Sequence, residues 1–230
     1  MVFSAVIFDL YGTLVPEFPR TAFYETVDRM AEALGADPAA FRDEWNATAI
    51  RRQTGAYVDG MPGNVRAICE DLGIADPPAD RLSAALAPRD AMYRRWFHPR
   101  PGALETVTAI RERGMPLALI SMCAPATPAM WHASPFAGLF EVEVFSSETG
   151  LRKPDPAIYA YAYERLDVEP AACLYCGDGA YGELAGAEAV GMTAVEIRDP
   201  AVDVAEQLRP EGEDWRGRRV SDLRELLELV

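Results

Sequence analysis

The stretch Phe3-Ser4-Ala5-Val6-Ile7-Phe8-Asp9-Leu10-Tyr11-Gly12-Thr13-Leu14 decides the fold. Its first half, Phe3 to Phe8, is a short apolar and β-branched run, which predicts a strand. No polar residue alternates through Ala5 to Phe8, so the strand reads as one buried on both faces, at the centre of a parallel sheet. The run stops at an acid, Asp9, and Gly12-Thr13 follows at once. A carboxylate therefore leaves the sheet at a point where glycine lets the chain bend sharply.

Outward from this strand the pattern splits in two. Apolar spacing predicts helices over 22–34, 39–53, 65–72 and 80–96, punctuated by Gly35, Gly60, Pro62, Gly63, Gly73, Pro77 and Pro78. From Pro101 onward helices and strands alternate: helix 103–113, strands 117–121 and 142–146, helix 156–166, strand 172–176, helix 182–190, strand 193–197 and a terminal helix 222–229. That alternation predicts an α/β fold, a doubly wound parallel sheet with right-handed crossovers. The first strand has to return to the same sheet, so the helical block between it and the rest reads as an inserted cap. The expected domains are an α/β core, 1–15 and 99–230, and a helical cap domain, 16–98.

With 230 residues, half of them hydrophobic, the chain can bury a sizeable core. A net charge of -14 weighs against a nucleic-acid partner, which needs clustered Lys and Arg. The N-terminal apolar run breaks at Asp9 and has no basic segment ahead of it, which predicts no signal peptide, no membrane partner and, by default, a cytoplasmic location. Cys173 and Cys176 form a CxxC, but Cys69 and Cys123 are isolated and His98 lies far from His132. The spacing fits buried free thiols better than a zinc site.

Ligands of open α/β sheets bind beyond the carboxyl ends of the strands, and four such ends carry polar residues here. They are Asp9, followed by Gly12-Thr13; Ser121, closing the strand Leu117 to Ile120; Lys153, in Lys153-Pro154-Asp155-Pro156; and Gly177-Asp178-Gly179-Ala180-Tyr181-Gly182-Glu183. Each alone is an ordinary turn or cap. Together they bring two carboxylates, a cation and a hydroxyl to one sheet edge, the set that hydrolysis of an anionic ester needs. A carboxylate nucleophile divides a displacement into two steps, Lys153 neutralises charge on the transferred group, and Asp178 suits a hard cation bound through oxygen.

These four segments, in this order, resemble the four motifs of the haloacid dehalogenase-like (HAD) superfamily over nearly the whole chain. The match includes Asp9 with Gly12-Thr13, Ser121, Lys153-Pro154, and Gly177-Asp178 with Glu183 and Gly186-Ala187. The helical insertion also resembles the cap of the subgroup containing haloacid dehalogenases and many small-molecule phosphatases. The resemblance implies a Rossmann-like core, Asp9 as nucleophile, and magnesium held by Asp9, the main-chain carbonyl of Tyr11 and Asp178, with Glu183 nearby. It also implies Ser121 and Lys153, beside Thr13 and Met122, at the phosphoryl oxygens. Met122 and Cys123 follow Ser121 where the family commonly has a polar residue, a less hydrophilic cradle than usual.

The chain departs from the phosphatase pattern at Tyr11, where those enzymes usually carry a second Asp that serves as general acid and base. Haloacid dehalogenases have Tyr there, and 153–159 (KPDPAIY) resembles theirs. They lack the acid corresponding to Asp178, however, and use no metal. Three readings follow: a magnesium-dependent phosphatase of a small phosphorylated metabolite working through an aspartyl-phosphate; a metal-independent 2-haloacid dehalogenase-like hydrolase; or a catalytically weak binding protein on the same fold. The expected partner is a small anionic molecule, and the chain is expected to be a monomer or homodimer. Substrate choice is assigned to the cap, whose candidates are Arg20, Tyr24, Trp45, Arg51, Arg52 and Tyr57. The ordinary reading of Arg51-Arg52 is a solvated helix face, the functional one an arginine reaching a second substrate anion. Trp45 and Trp96 read as packing residues.

Overall fold

Six strands pair in parallel in one sheet, in the order β3-β2-β1-β4-β5-β6, in this computed structural model. The structure describes residues 3–57, 59–201, 203–212 and 214–230, so the first two residues of the N-terminal apolar run lie outside the described residues. β1 (Ala5–Phe8) is wholly buried between β2 (Leu117–Ser121) and β4 (Cys173–Gly177). β3 (Val142–Phe145), β5 (Thr193–Ile197) and β6 (Arg218–Val220) extend the sheet outward. The chain winds from β1 to β2 and β3 on one side, then resumes at β4 and runs to β6 on the other. The order reverses between β1 and β4, and a crevice opens at such a point.

Alternate residues of the strands face opposite sides. Val6, Phe8, Leu117, Leu119 and Leu174 pack with Val107 and Ile110 of α6 (Ala103–Glu112) and with Trp131 of α7 (Thr127–His132). Ala5, Ile7, Ala118, Ile120 and Tyr175 pack with Ile158 of α9 (Pro156–Arg165) and Leu184 of α10 (Glu183–Ala189). Both faces of the sheet are covered, which is why β1 needs no polar positions.

Between β1 and β2 lie α1 (Arg20–Leu34), α2 (Pro38–Ala47), α3 (Ala49–Gln53), α4 (Gly60–Asp71) and α5 (Ala79–Trp96). They form a third core in which Phe23, Val27, Met30 and Leu34, spaced for one helix face, meet Phe41, Val65, Ile68 and Leu82. Trp45 is buried in this cluster and Trp96 packs against it. All four cysteines are buried and unpaired. No helix among the described residues is long and apolar enough to cross a membrane.

Five elements differ from the sequence expectation. The helix expected over 39–53 breaks at Thr48, whose hydroxyl donates back to the Glu44 carbonyl at 2.7 Å while Arg52 takes the Trp45 carbonyl; such side-chain capture competes with the helical ladder. The terminal helix is a 3-10 turn, Leu223–Glu228, closed by i to i+3 bonds after a capping box at Asp222 and Glu225. Short helices α7 and α8 (Ser146–Thr149) and strand β6 had no apolar periodicity to announce them. The exposed arginines of β6 suit an edge strand.

Candidate active site

Phe8 is in register with Leu119 of β2 and Cys176 of β4, so Asp9 emerges between the two neighbouring strands. Its N–H donates to the Cys176 carbonyl at 2.9 Å. Gly12 has φ +78, and a Cβ there would lie 2.6 Å from Asp178 Oδ2. The loops after β1 and β4 therefore touch, and only glycine fits both the dihedral and the space.

Lys153 reaches this junction from the loop before α9. Its buried ammonium donates to Asp9 Oδ1 at 2.6 Å and to Glu183 Oε2 at 2.5 Å. Glu183 also accepts from Tyr175 Oη at 2.7 Å and from the Gly179 N–H at 2.9 Å. Asp178 Oδ1 accepts from the Ala180 N–H at 2.9 Å, and its main-chain carbonyl accepts from Arg209 Nε at 2.9 Å. Asp9, Asp178 and Glu183 present oxygens within 4.8 Å of one another.

Asp9 Oδ2 and Asp178 Oδ2 are buried without a hydrogen-bond partner among the described residues. Orphaned carboxylate oxygens at this depth are costly. Burial, then Glu183, raises the Asp9 pKa to about 6 against the pull of Lys153, and burial, then Glu183 and Asp9, pushes Asp178 well above the usual range against the pull of the Ala180 N–H and Arg209. For Lys153 burial acts downward, but Asp9 and Glu183 outweigh it and the net shift is upward. Lys153 serves Asp9 and Glu183 while Arg209 Nε lies 3.6 Å from Asp178 Oδ2; the three clustered carboxylates make a hard-oxygen donor set, and that set fits a divalent cation.

The other sequence candidates divide. Thr13 and Ser121 are fully buried, and both hydroxyls lack a partner among the described residues. Met122 lines a cavity of about 440 Å³ that runs from Asp9 to α1, α2 and α3, and its Sδ accepts the Lys153 N–H at 3.4 Å. Arg52 lines the same cavity. It is buried rather than solvated: its guanidinium lies 3.7 Å over the Trp45 ring and donates to Thr48 Oγ1 at 3.2 Å, and burial lowers its pKa to about 10. Arg51 is exposed over Tyr57 and is not brought to the cavity. Arg20, Tyr24 and Trp45 do line it.

Tyr11 packs against Phe18, Phe97 and Tyr93, with its hydroxyl 3.0 Å from Thr127 Oγ1. Burial, then Tyr93, holds this phenol well above its ordinary pKa. Three residues had gone unremarked in the sequence. Tyr175 lies inside an apolar strand, Arg209 in a stretch with no periodicity, and Glu17 is flanked by Pro16 and Phe18.

The packing around Glu183 can be tested through its neighbour. A Cβ on Gly177 would come 2.2 Å from Glu183 Oε1, and that carboxylate, bound by Lys153, Tyr175 and Gly179, has nowhere to move. Gly177→Ala is expected to cost about 1–3 kcal/mol, the scale of a disrupted buried hydrogen-bonded group, read as a lowered denaturation midpoint. An unchanged midpoint would show that Glu183 relocates freely.

A parallel sheet with an acid, a lysine and two further carboxylates at its switch point defines a class, hydrolytic enzymes built on a doubly wound α/β core. The family can be stated more closely: a model described as haloacid dehalogenase-like hydrolase matches residues 3–191, and the chain belongs to that family. A glyceraldehyde 3-phosphate phosphatase of Methanopyrus kandleri is 26% identical, covering 85% of this chain and 84% of its own. The crystal structure of a HAD phosphatase from Thermococcus onnurineus superposes with TM-score 0.66 at 22% identity, over 99% of this chain and 97% of its own. An L-2-haloacid dehalogenase from Xanthobacter autotrophicus superposes with TM-score 0.62 at 20% identity, over 99% of this chain and 98% of its own. At those identities the two structures establish the fold, and both chemistries occur on it.

Proposed function

We propose that the protein is a magnesium-dependent phosphatase of a small phosphorylated metabolite, working through an aspartyl-phosphate at Asp9. The observation that carries this reading is the crowding of carboxylates: Asp9, Asp178 and Glu183 present oxygens within 4.8 Å of one another, Lys153 bonds the first and third, Arg209 faces Asp178 at 3.6 Å, and Asp9 Oδ2 and Asp178 Oδ2 accept no hydrogen bond among the described residues. The phosphatase named above, matched along most of the chain, supports it.

Asp9, the Tyr11 main-chain carbonyl and Asp178 would hold the magnesium, with Glu183 behind them. When bound, the ion supplies positive charge to the phosphoryl oxygens and to the nucleophile. The remaining roles fall to the chain itself. Asp9 Oδ2 attacks phosphorus, Lys153 keeps Asp9 oriented and offsets charge on the phosphoryl group, and the Thr13 and Ser121 hydroxyls donate to phosphoryl oxygens. The helical insertion, residues 16–98, acts as a cap that holds the leaving group in an aromatic cavity, and Arg52 receives a second anion on it. Tyr11 favours a second reading, a metal-independent 2-haloacid dehalogenase, because a departing halide needs no proton.

The two separate in one assay. Phosphate release from p-nitrophenyl phosphate that requires magnesium and stops with chelator supports the phosphatase; chloride release from 2-chloropropionate in chelator overturns it. Tyr11→Phe is expected to change phosphate release less than tenfold, well below the roughly 10²- to 10⁴-fold worth of a general acid or base, because the phenol is engaged with Thr127 and holds its proton. A larger loss in kcat would restore Tyr11 to the chemistry.

A further inference from the structure

With its phenol committed to Thr127, Tyr11 leaves the cavity without the acid that alkyl phosphate hydrolysis needs. Glu17 stands in that cavity with Asp9, and it is 8% exposed. Among the described residues its one hydrogen bond is accepted from the Phe18 N–H at 2.8 Å by Oε1, and no lysine or arginine among them forms an ion pair with it. We infer that Glu17 is the general acid and base of the reaction, a role that rests on the phosphatase reading above. In the first step Asp9 attacks phosphorus, the bond from phosphorus to the leaving oxygen breaks, and the Glu17 carboxylic acid gives its proton to that oxygen, releasing the alcohol. In the second step the Glu17 carboxylate takes a proton from water while the water oxygen attacks phosphorus. The bond to Asp9 breaks, phosphate departs, and both carboxyl groups return to their starting forms.

A buried carboxyl without a cationic partner is disposed to carry a proton at neutral pH. Burial and then Asp178, with smaller contributions from Asp9 and Glu183, outweigh the Phe18 hydrogen bond and hold Glu17 well above its ordinary range. The other charged groups on the cavity wall are Arg20, Arg52, Arg209 and Glu211, and Tyr181 also faces it. Tyr181 is not a rival donor, since its phenol exchanges hydrogen bonds with Gln53 and burial raises its pKa further. The protonated form of Glu17 serves the first step, so kcat/KM for a poor leaving group falls as pH rises through the Glu17 pKa.

The test uses Glu17→Gln, whose amide oxygen can still accept from Phe18, with p-nitrophenyl phosphate and benzyl phosphate in magnesium. Nitrophenolate leaves without a proton, and benzyl alcohol cannot. The variant is expected to release a burst of one nitrophenolate per protein, accumulate acid-stable phosphoenzyme, and then turn over about 10²- to 10⁴-fold more slowly than wild type. Benzyl phosphate is expected to lose kcat/KM by a similar factor with no burst. Glu17→Asp should recover part of both rates and, if the Glu17→Gln variant fails to fold, carries the same test through a displaced pH profile. Equal losses on both esters without a burst, or no loss on either, overturn the role of Glu17. Wild type inert toward both esters overturns the phosphatase reading instead, and the role of Glu17 falls with it.

Discussion

Asp9→Asn is expected to abolish turnover while raising the melting temperature of the metal-free protein at neutral pH. The activity loss should be on the order of 10⁴-fold or more, the scale seen when a covalent nucleophile is removed. Asparagine keeps the shape and the backbone bond to Cys176 but cannot form the acyl-phosphate. The gain in stability follows from electrostatics. Asp9 titrates at about 6 in the folded chain against 3.8 for the free group, so the native state binds more protons than the unfolded chain between roughly pH 4 and 6. Stability therefore falls as pH rises through that window, and above it an ionised Asp9 is a net cost that asparagine removes. Glu183 remains as a partner for Lys153, so the ammonium is not stranded. Thermal denaturation in chelator at pH 5 and pH 7.5 checks this: the advantage of the variant should widen toward pH 7.5. A variant less stable than wild type at pH 7.5 would mean that the Lys153–Asp9 pair outweighs the crowding of acids.

The parts of this molecule that could be read in advance are those written in short-range pattern. The run Ala5 to Phe8 gave a central strand because a strand covered on both faces has no use for polar positions, and the alternation after Pro101 gave a doubly wound sheet. Asp9 and Asp178 were legible because each directly follows a strand, and a parallel sheet brings such ends to one edge; Lys153, beyond α8 on the loop before α9, was legible from its Lys-Pro-Asp-Pro setting. Glu17 and Arg209 were not, since both lie on irregular chain whose path is set by tertiary contacts: the Leu208 N–H donates to the Phe18 carbonyl and the Tyr181 N–H to the Pro210 carbonyl. Adjacency likewise misled at Arg51 and Arg52. Neighbours on a helix point about 100° apart, so one met Trp45 inside the insertion and the other met solvent.

Lys153→Met should produce the largest loss of stability of any single substitution at the site. Methionine fills a similar volume but withdraws the ammonium that serves Asp9 and Glu183, both buried. Removing one partner of a buried ionic cluster typically costs about 3–5 kcal/mol, because the charges left behind are uncompensated. The sign of the pH dependence separates this cause from simple loss of packing. In wild type the Lys153 pKa is raised, so its contribution is present throughout the neutral range and is lost only above that pKa. Without the ammonium, Asp9 of the variant rises further above its unfolded value, and the folded form takes up protons that the unfolded chain releases. Its stability should then fall steeply as pH climbs from about 4 toward 8, and the gap to wild type should nearly close at the acid end. Magnesium binds only the folded site and stabilises by mass action; with less positive charge competing for the same oxygens, it should raise the melting temperature of the variant more than that of wild type. Chemical denaturation at several pH values, with and without magnesium, reads all three. A deficit independent of pH would trace the loss to packing alone, and a variant as stable as wild type would show that Asp9 and Glu183 need no cation between them.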